Sequence, residues 1–313
     1  MNKSKEIRGL ILESNNILIC SHERPDGDAI GSVIGLGLSL KSLGKNVQMV
    51  FKDDLSSNFD FIPEINTIQK KILHPFDLSI ILDCSDKFRS GILFDEEHHF
   101  DVNIDHHITN SNFAKNNIVE PQAAATAQIL TRLLLEWNFP IIKDVATSLL
   151  TGILTDTLGF RTSNVTEETF QISAKLIENG TNLPEIYQKV LLSRSFQASK
   201  YWGSGLSNLQ IENSLVWTTL TLEDRKKAAY RGNDDADLIN MLSNIEEANI
   251  ILLFIEQKDE KVKVSWRAKT GWDVSQIALK YGGGGHPAAA GTMLNGTLDE
   301  ITTEILIETK KHL

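Results

Sequence analysis

Short apolar runs that stop at an acid or a histidine constrain this chain more than any other feature. "NILIC" (16–20) runs into "SHERPDGDAIGS", "LSIIL" (78–82) into "DCSD", and "VNI" (102–104) into "DHHITN". Stretches with helical apolar spacing lie between or after them. "IRGLILES" comes first, "DAIGSVIGLGLSLKSLG" is closed by Gly44, and helical patterns follow over 123–137, 141–156, 166–178 and 183–192. With "NVQMVF" as a further strand, short buried strands alternating with helices predict βαβ units and a parallel sheet.

The chain has 313 residues, more than one core usually holds, so two domains are expected. Beyond the helical patterns the rhythm breaks over "SRSFQASKYWGSGLSNLQ" (193–210). After it come strand patterns in "SLVWTTLTL", "ANIILLFIEQ" and "KVKVSWRA", and helical patterns in "DADLINMLSNI", "DVSQIALKYG" and "LDEITTEILIETKKHL". The expected fold class is α/β. A larger N-terminal parallel-sheet domain spans 1–190, a connector 191–212, and a smaller mixed-sheet α/β domain 213–313.

Lys plus Arg number 31 and Asp plus Glu 41, so the net charge is −10, and there is no long basic run. That excludes a groove tracking long nucleic acid and points to a small phosphate ligand held by metal ions or a few arginines. No apolar stretch approaches the roughly 20 residues that cross a bilayer, and "MNKSKEIRGL" lacks the pattern of a secretory signal. Cys20 and Cys84, the two cysteines, lie in apolar runs and suit a reducing cytoplasm.

His22, Asp26, Asp28, Asp83, Asp105, His106 and His107 all follow apolar runs read as strands, and Asp156 ends the helical pattern "TGILTD". Ligands collect at the carboxyl ends of parallel strands, so these side chains are expected at one rim of the sheet. Five carboxylates meeting there repel one another unless a cation joins them, and carboxylates with imidazoles suit Mn²⁺, Fe²⁺ or Mg²⁺. A carboxylate shared by two ions makes a centre that activates water and neutralises phosphate. Each acid alone also reads as a helix cap or turn former, and Cys20 near His22 leaves a zinc site as an alternative. His98 and His99 read as surface residues.

"GGGGHPAAAG" (282–291) exceeds what a helix cap needs. Its glycines let backbone N–H groups approach a phosphate, with His286 as a donor and Arg267 as a planar fork; a mobile loop with a solvated histidine is the plainer alternative.

These motifs resemble the DHH phosphoesterases. "SHERPDGDAIGS", "ILDCSD", "NIDHHITN" and "TGILTDTLGF" are similar to the four family motifs in order, and "GGGGHPAAAG" to the signature of the DHH-associated C-terminal domain. The resemblance implies an active site in a cleft between the two domains. It implies one divalent ion on His22, Asp26 and Asp83 and a second on Asp28, Asp83, His106 and Asp156. Mn²⁺ is the first expectation, with Mg²⁺, Fe²⁺ or Co²⁺ as alternatives. Asp83, Asp105 and His107 form the implied catalytic set: Asp83 bridges, Asp105 steadies the histidines, and His107 faces the phosphate. Arg161, Ser265, Arg267, Gly284, Gly285 and His286 join His107 as implied substrate contacts, with Ser163 beside Arg161. In the fourth motif Leu158 stands where members often have glycine, and Gly159 follows.

The layout is most similar to the NrnA-type branch. That implies hydrolysis of short oligoribonucleotides and dinucleotides, and removal of a phosphate from adenosine 3′,5′-bisphosphate (pAp). It implies a cytoplasmic enzyme acting on neither long nucleic acid nor membrane, with a homodimer left open. The alternatives are a linear or cyclic dinucleotide phosphodiesterase, a manganese pyrophosphatase, to which "DRKK" (224–227) lends slight support against its reading as a charged helix face, and an inactive nucleotide-binding regulator.

Overall fold

In the computed structural model, residues 3–91 and 99–313 are described. His98 lies outside them, and His99 is exposed. The chain divides into two compact units, Met1–Ser193 and Arg194–Leu313.

The first unit begins with helix α1 (Lys3–Glu13), strand β1 (Asn16–Cys20), helix α2 (Gly27–Ser42), and strands β2 (Asn46–Val50), β3 (Leu78–Leu82), β4 (Val102–Asp105) and β5 (Asn116–Val119). It continues with helices α3 (Thr126–Trp137), α4 (Lys143–Asp156), α5 (Glu167–Glu178) and α6 (Leu183–Tyr187). The five strands form one parallel sheet in the order β2-β1-β3-β4-β5. That is a doubly wound order, and its direction reverses between β1 and β3.

Alternate residues of each strand face different cores. Ile17, Ile19, Ile80 and Leu82 join the large helical core, while Leu18, Cys20 and Ile81 join a smaller cluster with Phe100. Burial on both faces explains why these strands read as unbroken apolar runs. Strand β5 is absent from the sequence reading, because its four residues "NNIV" carry two asparagines and form an edge.

Helix α2 is buried from Gly27 to Leu40, as a helix apolar all round should be. It lies against α4 at backbone distance. A Cβ on Gly31 would stand 2.4 Å from the Ser148 carbonyl oxygen, and one on Gly27 would strike the Thr155 side chain. Glycine at every fourth position of α2 therefore lets α4 approach.

The segment expected as a connector is structured. A π-helical turn covers Gln188–Leu192, helix α7 covers Phe196–Ser207, and strand β6 covers Gln210–Glu212. Ser195 caps α7 by accepting from the Ala198 N–H. The division between units falls at 193/194, and α7 and β6 belong to the second unit. The apolar spacing of α7 is interrupted by Gly203 and Gly205, which hid the helix from its sequence.

The second unit adds β7 (Leu215–Leu220), α8 (Leu222–Ala228), α9 (Leu238–Leu242), β8 (Ile250–Gln257), β9 (Lys261–Ala268), α10 (Ser275–Lys280), β10 (Gly284–His286), β11 (Ala289–Asn295) and α11 (Leu298–Lys310). Its mixed sheet has the order β10-β11-β9-β8-β7-β6, with only β7 and β8 parallel. Arg225, Lys226 and Lys227 of "DRKK" lie on α8, as a charged helix end would. The glycine run is not a loop throughout, because residues 284–286 pair with β11.

Candidate metal centre and a second polar face

Three loops leave the carboxyl ends of β1, β3 and β4 at the point where strand order reverses. The first carries His22, Asp26 and Asp28. Asp26 caps α2, its Oδ1 accepting from the N–H groups of Asp28 and Ala29 at 3.1 and 3.0 Å, so its capping role and its place among the acids coexist. The second loop opens with Asp83, whose backbone turns left-handed at φ 51°. The third carries Asp105, His106 and His107. Helix α4 delivers Asp156 from its last turn.

Three groups of donors gather there: His22, Asp26 and Asp83; Asp28, His106 and Asp156; and Asp83, His106 and His107, each with ligand atoms within 4.8 Å of one another. His22 Nε2 lies 3.8 Å from an Asp26 oxygen and 3.6 Å from Asp83 Oδ2. His106 Nε2 lies 3.7 Å from Asp83 Oδ1 and 3.3 Å from Asp156 Oδ2. Most of these separations are long for hydrogen bonds. They suit donors sharing an ion, since ligands at about 2.1 Å stand about 3 Å apart when adjacent and about 4.2 Å apart when opposite. One oxygen of Asp83 faces His22 and the other faces His106.

Backbone carbonyls fix the imidazoles. His22 Nδ1 lies 2.8 Å from the Glu23 carbonyl oxygen, and His106 Nδ1 lies 3.2 Å from that of Ala123. A carbonyl only accepts, so each Nδ1 carries the proton and each Nε2 offers a lone pair to the cluster. The donor set therefore fits divalent ions. Asp105 is fully buried and accepts from His107 Nδ1 at 2.7 Å, from the His106 N–H at 2.9 Å and from Asn110 Nδ2 at 2.6 Å.

The charges are under stress. Burial, then repulsion from Asp83, pushes Asp28 up to about 7. Burial and repulsion from Asp28 raise Asp156 well above the carboxylate range. Burial opposes protonation of His22 and His106, yet the surrounding carboxylates push them up to about 10 and about 9. Unless a cation takes the Nε2 lone pairs and the carboxylate oxygens, protons are held in its place. The cysteines take no part. Burial drives the Cys20 thiol well up and Cys84 up to about 12, and neither belongs to a donor group among the described residues.

Two supports escaped the sequence reading. The N–H groups of Thr126 and Ala127, opening α3, donate to Asp28 at 2.6 and 2.9 Å, and the Thr126 hydroxyl donates to Asp83 Oδ1 at 3.0 Å. The small-residue run "AAATA" before an apolar helix was the available signal. Gly152 is the other, since a Cβ there would lie 2.8 Å from Asp28 Oδ1. Arg161 and Ser163 are exposed in the turn after α4 and belong to none of the donor groups. In that turn Leu158, Gly159 and Phe160 are all left-handed, so Leu158 adopts a conformation that glycine takes without strain.

The second unit holds a separate polar face. Register pairs Gly284 with Gly291 and Gly291 with Ser265; the next row pairs His286 with Ala289 and Ala289 with Arg267. Directly paired residues share a face, so Ser265, Arg267 and His286 stand on one side of the sheet with only Gly291 and Ala289 between them. Gly285 serves packing, since a Cβ there would lie 2.3 Å from the Ala289 carbonyl oxygen, whereas Gly284 faces open space. Ser265 is nearly buried and His286 is exposed.

Fold and site together define a doubly wound α/β protein with a carboxylate–imidazole centre at its topological switch point. Residues 16–153 match the DHH family N-terminal domain and residues 221–309 the DHHA1 domain. A Thermus thermophilus protein named bifunctional oligoribonuclease and PAP phosphatase NrnA is 34% identical over 308 residues, covering 95% of this chain and 90% of its own. The protein of the same name from Mycoplasma pneumoniae is 28% identical, covering 96% of each chain. An exopolyphosphatase-related protein from Bacteroides fragilis shares the fold with a TM-score of 0.90 and 24% identity, over 99% of this chain and 96% of its own. RecJ from Thermus thermophilus in complex with Mn²⁺ matches with a TM-score of 0.50 and 11% identity, over 94% of this chain and 52% of its own. The chain belongs to the DHH family of phosphoesterases.

Proposed function

We propose that this protein hydrolyses short oligoribonucleotides to mononucleotides and converts pAp to AMP, using two divalent ions of which Mn²⁺ is the first choice. The observation that carries this reading is the division of Asp83, one carboxylate oxygen toward His22 and the other toward His106. His22, Asp26 and Asp83 would hold one ion, and Asp28, Asp83, His106 and Asp156 the other. Bound there, the ions supply water activation and neutralisation of phosphate charge.

The chain's own residues do the rest. Asp105 keeps the His107 ring oriented, so that His107 presents Nε2 to a phosphate oxygen. Thr126 and Ala127 hold Asp28 in place. In the second unit Ser265, Arg267 and His286 supply donors for a terminal phosphate, and open space at Gly284 admits a ligand close to the backbone. Gly285 supports that strand, and Arg161 is the remaining candidate contact. The acidic net charge of −10 supports a ligand small enough to be met locally rather than along a track. We place the enzyme in the cytoplasm, where two unpaired thiols persist.

The test is turnover of pAp, a dinucleotide, a cyclic dinucleotide and pyrophosphate, side by side with Mn²⁺ and with chelator. Release of AMP from pAp and of mononucleotides from the dinucleotide, both abolished by chelation, is the expected result. Turnover of pyrophosphate alone, or of the cyclic dinucleotide alone, would overturn the substrate assignment.

A further inference from the structure

Arg267 is held by its neighbours in an unusual way. Its Nε and Nη2 both donate to one acceptor, Asn240 Oδ1, at 3.1 and 3.0 Å, and Nη1 donates to the Trp266 carbonyl oxygen at 3.0 Å. A guanidinium has five N–H groups, so two remain without a partner among the described residues. Among the described residues, the acceptors of these bonds are neutral.

Neutrality here is not for want of acids. Asp235 and Asp237 lie close enough to act on Arg267 through space, and both are committed elsewhere. Asp237 pairs with Arg194 Nη2 at 2.6 Å. Asp235 is nearly buried and accepts from the Ile239 N–H at 2.9 Å. Asp234, the third acid of the run, accepts from the Tyr230 hydroxyl at 2.5 Å. Asn240 sits on α9, three residues beyond Asp237, and occupies the contact that a carboxylate would otherwise take. A carboxylate there would form the paired fork that guanidinium favours and so cancel its charge.

We propose that Asn240 is a positioning residue for substrate: it orients the Arg267 guanidinium with an uncharged acceptor and so keeps the full positive charge and two donors available for a phosphate group. The inference rests on the reading of Arg267 as a phosphate contact. Asn240 does its work through Arg267 and has no part in the chemical step. Burial lowers the pKa of Arg267, opposed by Asp235 and Asp237, which fits a cation kept partly out of water and without a carboxylate of its own.

The experiment is steady-state kinetics on pAp with Mn²⁺, for Asn240→Asp, Asn240→Ala and Arg267→Ala, each with a melting temperature. Asn240→Asp keeps an acceptor of nearly the same shape and adds charge, so a purely structural role for Asn240 predicts little change. We expect its KM to rise on the order of tenfold with kcat and melting temperature close to the parent. Asn240→Ala, which frees Arg267 to turn toward Asp235 and Asp237, is expected to raise KM less.

An unchanged KM in Asn240→Asp, or a fall in kcat with KM held, overturns the inference. Should Asn240→Asp fail to fold, an unchanged KM in Asn240→Ala overturns it equally. Arg267→Ala separates the two levels. If its KM equals the parent's, the reading of Arg267 itself falls. If its KM rises while both Asn240 variants match the parent, only the role of Asn240 falls.

Discussion

The two polar sites of this molecule are built in opposite ways. In the first unit, negative side chains from segments up to 130 residues apart, Asp26 to Asp156, are crowded together and partly buried, and their charge is excessive until something positive arrives. In the second unit, Ser265 and Arg267 of β9 and His286 of β10 stand on one face with β11 between them, and the Arg267 guanidinium meets the Asn240 amide oxygen. In the proposed reading, the first site accepts cations and the second reserves a cation for an anion. The contrast teaches that each polar site is prepared by its own local chemistry, the first by crowding acids and imidazoles, the second by meeting a guanidinium with an amide.

The sharpest way to break the comparison is to remove one member from each site. Asp83→Asn takes away the shared charge and is expected to cut pAp turnover on the order of a thousandfold and to lose Mn²⁺ binding in calorimetry. Arg267→Ala is expected to raise KM about ten- to a hundredfold while Mn²⁺ binds as in the parent. If both variants lose metal alike, the two sites are not independent and the comparison fails.

The next test is subtler. Thr126→Val keeps the helix start and both N–H donors to Asp28 while deleting the hydroxyl on Asp83. Mn²⁺ affinity is expected to fall about ten- to a hundredfold, and Thr126→Ser to restore it. Equal losses in the two variants would assign Thr126 to packing alone.

The smallest effect is a pH dependence confined to the first site. Asp28 is raised to about 7, His106 to about 9 and His22 to about 10, and Asp156 is raised as well. A group with a raised pKa in the folded protein binds more protons folded than unfolded, so its stabilisation is complete on the acid side and is lost as pH climbs through the folded value. The metal-free protein should therefore melt at progressively lower temperature from about pH 4 to 10, through Asp28 at the acid end and the two histidines at the alkaline end. Mn²⁺ should displace those protons, so its stabilising effect should widen over the same range. Melting curves in chelator and in Mn²⁺ check this; a constant gap would mean that the clustered groups do not titrate with metal binding.

Much of the first site was legible in the sequence because its residues sit at strand ends, where an apolar run meets "HERPDGD", "DCSD" or "DHH". The short polar edges were not. "NNIV", "QIE" and "GGH" lack the length or apolar content to declare themselves, and they become strands only because a partner supplies the hydrogen bonds. Nor was the bond from Thr126 to Asp28, which spans 98 positions and exists only once α2 and α3 have packed. Asn240 was equally silent, since a lone asparagine inside "DADLINML" acquires meaning only from the register of β9 beside it. The connector reading failed for a similar reason, since two glycines in α7 blurred a helix that packing restores.

The closeness of α2 and α4 has a consequence for how this family member tolerates change. Main chain meets main chain at Gly31 and Ser148, so the gauge that sets Asp28 against Asp156 is cut in backbone rather than in interchangeable side chains. A single added methyl at Gly31 would meet the Ser148 carbonyl oxygen at 2.4 Å, so that seam has no slack with which to absorb it.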